Sequence, residues 1–156
     1  MTKQALEVIE ALAANEMLIS RLYMAFAERF PDNRDFWERM AHEETQHADM
    51  IGSLGLELKE GTVEFNSDGF DKTSVDMFHD YLKFSLLRTQ EGDILSKDAF
   101  ETALAIEHDL IERSFFGLFE AKTAEMSIIL EGLTSSTREH HRSLVQALEK
   151  SRQSQE

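Results

Sequence analysis

Cysteine is absent from all 156 residues, which excludes disulfides, thiolate nucleophiles, zinc ribbons and rubredoxin-type iron sites. Any metal held by this chain must therefore be bound through His and carboxylate side chains. Proline occurs once, at Pro31, and the 7 glycines cluster in a few places, so most of the chain lacks helix breakers and long helices are expected. Basic residues are few: 16 Lys and Arg stand against 30 Asp and Glu, for a net charge of -14. Such a surface repels phosphate backbones and anionic lipid, which argues against nucleic-acid and membrane partners. No long apolar run exists, and Glu7, Glu10 and Glu16 interrupt the N-terminal segment, which points to a cytoplasmic protein without a signal peptide. The hydrophobic fraction of 42% is sufficient for the core of one domain spanning 1-156.

Apolar spacings of three and four residues define the helices. The first, about 3-29, aligns Ile9, Leu12, Ile19, Tyr23, Phe26 and Phe30, with Glu16 as the polar member of that row. After a turn at Pro31, Asp32 and Asn33, a second helix over about 34-58 carries Trp37, Met40, Ile51 and Leu54, interrupted by Glu44 and His47. The segment from about 60 to 97 reads as a long crossover, with Gly61, Asn66, Ser67, Asp68 and Gly69 as irregular chain and a short helix around Ser74 to Thr89. A third long helix, about 97-121, places Phe100, Leu104, Ile111, Ser114 and Leu118 on one row with Glu107. A fourth, about 124-150, places Met126, Leu130, Leu133, Leu144 and Leu148 on a row interrupted by Thr137 and His140.

The polar intrusions match in height. Residues level with one another in an antiparallel hairpin lie equally far from its turn. The midpoint between Glu16 and the Glu44/His47 pair falls at Phe30 and Pro31, and that between Glu107 and the Thr137/His140 pair falls beside Lys122 and Thr123. Glu44 and His47, three apart, present a carboxylate and an imidazole on one helix face. Burying unpaired carboxylates costs several kcal/mol, so converging Glu16, Glu44 and Glu107 require a compensating positive charge. A metal ion supplies it, and a site rich in oxygen with imidazole suits iron or manganese. The bland alternative is a buried salt bridge in which Arg138 or another cation turns inward.

With these residues the chain resembles the ferritin-like di-iron carboxylate superfamily, and within it the rubrerythrin-like branch without a rubredoxin domain. Glu16 followed by Tyr23 is similar to the family's first-helix ligand, and Glu44-Thr45-Gln46-His47 to its second-helix Glu-x-x-His. Glu107, followed by Phe115 and Phe116, is similar to the third-helix ligand. The resemblance implies an all-α, ferritin-like four-helix bundle with a long crossover between helices 2 and 3. It implies one or two iron ions, with Mn or Zn as alternatives, held by Glu16, Glu44, His47, Glu107 and His140. In that pattern Glu44 bridges, Glu16 and His47 complete one metal position, and Glu107 and His140 complete the other.

The fourth helix departs from the pattern: Thr137-Arg138-Glu139-His140 carries Thr where the family has a carboxylate. Three carboxylates do not balance two divalent ions, so the second position is expected to be weaker. The implied chemistry is oxidation of Fe(II) or an external reductant by peroxide or oxygen, with an external electron donor. The rival expectation is a non-catalytic dimeric bundle with a degenerate site, acting as an interaction or metal-holding module. Phe36 and Phe119, read as outer aromatics, suggest a homodimer. Tyr23 is expected either in the core or hydrogen-bonded to a ligand carboxylate. His42, His79, His108 and His141 are read as solvated surface groups, and Met17, Met24, Met40, Met50, Met77 and Met126 as core filling.

Overall fold

The computed structural model describes residues 2-113 and 115-154. Its helices are α1 (Lys3–Arg29), α2 (Arg34–Glu60), α3 (Lys72–Glu91), α4 (Ser96–Arg113) and α5 (Ala124–Gln153). Two short strands, β1 (Val63–Phe65) and β2 (Phe119–Ala121), complete an otherwise all-α chain. Among the described residues no helix is long and apolar enough to cross a membrane.

The N-terminal hairpin follows from local chemistry. Thr2 caps α1, its hydroxyl accepting from the Ala5 amide, which satisfies one of the unpaired amides of the first turn. The 3-10 turn Pro31–Asn33 then reverses the chain into α2, at the position fixed by the site's midpoint. Ile9, Leu12, Ile19, Tyr23 and Phe26 are buried on α1, and Trp37, Met40, Ile51 and Leu54 on α2. Near this turn the aromatic rings interlock. Trp37 lies 4.9 Å from Phe26, 5.5 Å from Tyr23 and 4.8 Å from Phe100 of α4, measured between ring centroids.

The crossover is more ordered than its composition indicates. Instead of a short helix within irregular chain, it contributes the 20-residue α3, which packs along α1. Asp71 caps α3, and Gly92 ends it in the left-handed region at φ 78°. The Gly92 carbonyl accepts from Arg29 Nη2 at 3.2 Å, and a Cβ on Gly92 would lie 3.1 Å from the same nitrogen. Gly92→Ala is therefore expected to cost about 1–2 kcal/mol through the left-handed backbone, seen as a lower urea midpoint. An unchanged midpoint would show that this junction relaxes freely.

The third long helix is shorter than its periodicity suggests. It ends at Arg113, and the chain continues as a 3-10 turn (Phe115–Leu118) and then β2. Ser114 lies outside the described residues. The turn and strand bury Phe115, Phe116, Leu118 and Phe119 together. β2 pairs antiparallel with β1, with Phe65 opposite Phe119 at 5.7 Å between rings, and Lys122 contacts Glu64 and Glu120 across the clasp. Thr123 then caps α5, accepting from the Met126 amide.

Burial corrects several surface expectations. Phe119 is buried and Phe36 packs on Trp37 and Phe100, so neither is an outer aromatic. Met40 and Met126 fill the core and Met50 packs against it, whereas Met17, Met24 and Met77 are exposed. His42 and His108 are exposed as expected. His141 is half-buried, its ring 6.0 Å from His108. His79 is also half-buried, its Nδ1 hydrogen-bonded to Oδ1 of buried Asn15 at 2.7 Å.

Candidate metal centre

Four helices deliver one buried cluster. Glu16 from α1, Glu44 and His47 from α2, Glu107 from α4 and His140 from α5 are each at most 5% exposed. Glu44, His47 and His140 form its tight part, with one ligand atom from each lying within 4.8 Å of the others. His47 Nδ1 is 3.0 Å from Glu44 Oε2, and His140 Nδ1 is 2.7 Å from Glu44 Oε1. Glu107 adjoins this group, its Oε1 3.6 Å from His140 Nδ1. Glu16 adjoins Glu44 closely enough for the Glu44 charge to raise its carboxyl.

The local fold explains the convergence. Three-residue spacing puts Glu44 and His47 on one face of α2, and the apolar rows containing Glu16, Glu107 and His140 face inward. Thr137 is buried on the same face as His140, but its hydroxyl donates to the Leu133 carbonyl of its own helix at 3.0 Å. It therefore offers a back-bonded hydroxyl where a fourth carboxylate would be needed to balance two divalent ions. Arg138 is exposed, so the cation named in the salt-bridge alternative takes no part.

Electrostatics within the cluster are tightly linked. Burial pushes the Glu16 carboxyl well above its ordinary range, and the neighbouring Glu44 charge adds to the rise. Burial and the Glu44 charge likewise push Glu107 up to about 8. Glu44 behaves oppositely: burial disfavours its charge, yet the adjacent His140 and His47 imidazoles hold it well below the usual carboxylate range. Burial also opposes a charge on His140, but Glu107 and Glu44 push it up to about 11. The cluster thus sets an ionised Glu44 against an imidazolium, flanked by Glu16 and Glu107, whose carboxyls burial shifts toward the protonated form. His140 supplies the inward cation in the metal-free state.

That arrangement leaves polar atoms poorly served. Glu16 Oε2, Glu44 Oε1, Glu107 Oε2 and His140 Nδ1 are buried without an aligned hydrogen bond. His140 Nδ1 and Glu44 Oε1 sit at ion-pair distance but off the hydrogen-bond direction. Buried polar atoms are ordinarily paired, so inward-facing unpaired oxygens and nitrogen mark a place for a shared cation. The Glu44, His47 and His140 group can hold a metal ion, and its donor set of carboxylate and imidazole excludes a thiol-dependent one.

Around the cluster lie three further groups. Tyr23 is fully buried and its hydroxyl donates to Glu107 Oε1 at 2.7 Å, which ties the aromatic end of the core to the acid on α4. Ser136 Oγ meets His47 Nε2 at 2.8 Å. Glu43 meets His140 Nε2 through its Oε2. Tyr23 was visible in the sequence because it shares Glu16's row. Glu43 and Ser136 were not, since both lie on helix flanks whose neighbours depend on how α2 and α5 are rotated.

No family model, curated protein or solved structure matches the chain.

Proposed function

We propose that this chain is a non-haem metal protein of rubrerythrin-like, ferritin-like type, holding iron in the cluster formed by Glu16, Glu44, His47, Glu107 and His140. The observation carrying the reading is the inward group of Glu44, His47 and His140, with unpaired atoms on Glu16, Glu44, Glu107 and His140 around it. Iron, once bound, would supply reversible one-electron redox for oxidation of Fe(II) or an external reductant by peroxide or oxygen. Glu44 reaches both imidazoles and would be the carboxylate shared within the group if metal were bound. Tyr23 fixes Glu107 by hydrogen bond, and the aromatic layer behind it excludes water from that side. Under this reading an external reductant would supply the reducing equivalents.

Thr137 favours a second reading, a non-catalytic bundle that holds metal or serves as a dimeric interaction module. The two diverge in one experiment. Protein produced with iron is expected to contain it stoichiometrically, and Glu44→Ala to lose about tenfold or more of its affinity. Peroxide added to the reduced wild type is expected to change its absorption spectrum. Equal iron in both proteins would remove the ligand assignment, and tight binding with no spectral response to peroxide would select the passive module.

A further inference from the structure

We infer that Glu43 is the residue that positions His140 for metal binding, an inference that rests on the metal reading above. Glu43 and Glu44 are neighbours on α2, about 100° apart around its axis, so they cannot serve the same space. Glu44 faces the interior, whereas the Glu43 side chain is 34% exposed on the flank turned toward α5. There its Oε2 meets His140 Nε2, bridging helices whose residues are 97 apart in sequence. The two nitrogens of an imidazole point away from each other across the ring. With Nε2 held by Glu43, Nδ1 is the atom turned to Glu44 Oε1 at 2.7 Å and to Glu107 Oε1 at 3.6 Å.

His140 has a matching partner in His47. Nδ1 of His47 likewise faces Glu44, and its Nε2 is held from outside by Ser136 Oγ at 2.8 Å. Both rings therefore present Nδ1 inward and fix Nε2 outward, His47 by a neutral hydroxyl and His140 by a carboxylate. An ionised acceptor makes a hydrogen bond roughly twice as strong as a neutral one. It keeps the proton on Nε2, leaves the Nδ1 lone pair for a metal and makes that nitrogen a better donor. Glu43 thus adds a fourth carboxylate beside the cluster, acting through His140 rather than as a ligand, where Thr137 contributes none.

The test uses zinc, a diamagnetic probe that can be loaded into the intact protein. In the wild type, nitrogen-15 NMR is expected to show His140 bound through Nδ1 and an Nε2 proton protected from exchange with water. Glu43→Ala is expected to abolish that protected proton and weaken zinc binding about 10–100-fold in competition with a chelator. Glu43→Gln keeps a neutral acceptor and is expected to retain the proton but only part of the affinity, between Glu43→Ala and the wild type. Ser136→Ala is expected to have a smaller effect, confined to His47. Wild-type affinity together with a protected proton in Glu43→Ala would overturn the role of Glu43. So would a loss of affinity in Glu43→Ala with the Nε2 proton still protected, since the loss would then not run through the contact to His140. A wild type that binds no zinc would overturn the underlying metal reading before any variant is made, and the inference with it.

Discussion

At pH 8, a divalent ion added to the metal-free protein at ~100 times its dissociation constant is expected to raise the melting temperature by about 5–10 °C. At pH 6 the same ion concentration is expected to give a smaller rise. Protons and metal compete for the same atoms: Glu16, Glu107 and His140 all hold their protons more tightly in the fold than free side chains do. Groups with raised folded pKa stabilise the metal-free fold fully below their unfolded values, and that contribution is lost as pH rises. For Glu107 the loss runs from its ordinary 4.5 up to about 8, and for His140 from 6.5 up to about 11. Glu44 has the opposite sign, contributing above its ordinary 4.5 and losing that contribution as pH falls. The metal-free protein is therefore most stable in weakly acidic solution, while metal affinity grows with pH. Binding near neutral pH should release protons, since Glu107 and His140 hold theirs tightly in the metal-free fold. Calorimetric titration in two buffers of different ionisation enthalpy measures that release. Equal melting increments at both pH values, with no proton release, would refute the proton-for-metal exchange.

His140→Leu in chelator is expected to cost about 3–5 kcal/mol, because it strands the ionised Glu44 without its imidazolium. Replacing both partners with apolar side chains is expected to be milder, since an unpaired buried charge is costlier than no charge. The double variant Glu44→Leu/His140→Leu should thus recover at least about half of the single-variant loss. Urea denaturation of the two singles and the double closes this thermodynamic cycle. Strictly additive losses, or a single-variant cost below about 1 kcal/mol, would show that His140 is not the cluster's neutralising cation. The result also bears on metal loading, because the same ring must shed its Nδ1 proton before it can donate to an ion.

The residues most legible in the sequence were those that broke a pattern. Glu16, Glu44, His47, Glu107 and His140 interrupt apolar rows, and side chains on such rows have nowhere to go but inward, as their burial shows. The Pro31 turn was legible for a similar reason, being the single proline at the level that two facing residues require. The end of α4 was not, because Leu118 keeps the helical spacing although the chain has already left the helix. Only the chance to bury four neighbouring apolar side chains together, against β1, decides that point. α3 was underestimated since an amphipathic helix packed on one neighbour leaves Met77, Tyr81 and Phe84 exposed, which blurs its pattern. The pairing of His79 with Asn15 and of Glu43 with His140 depends on the relative rotation of helices. A single row of residues carries no record of that rotation.

The β1–β2 clasp sets an order of events for a chain emerging from synthesis. α1 and α2 meet through a tight turn and can associate while the remainder is still being made. β1 must wait for β2, which follows α4 in the sequence, so its edge stays unpaired through most of translation. His140 arrives later still, within α5. Until then Glu16 and Glu44 have neither the imidazolium nor a complete pocket, so a cation met early finds only a half-built grip. α5 thus brings the imidazolium that balances Glu44 only after the hairpin carrying Glu16 and Glu44 is already made.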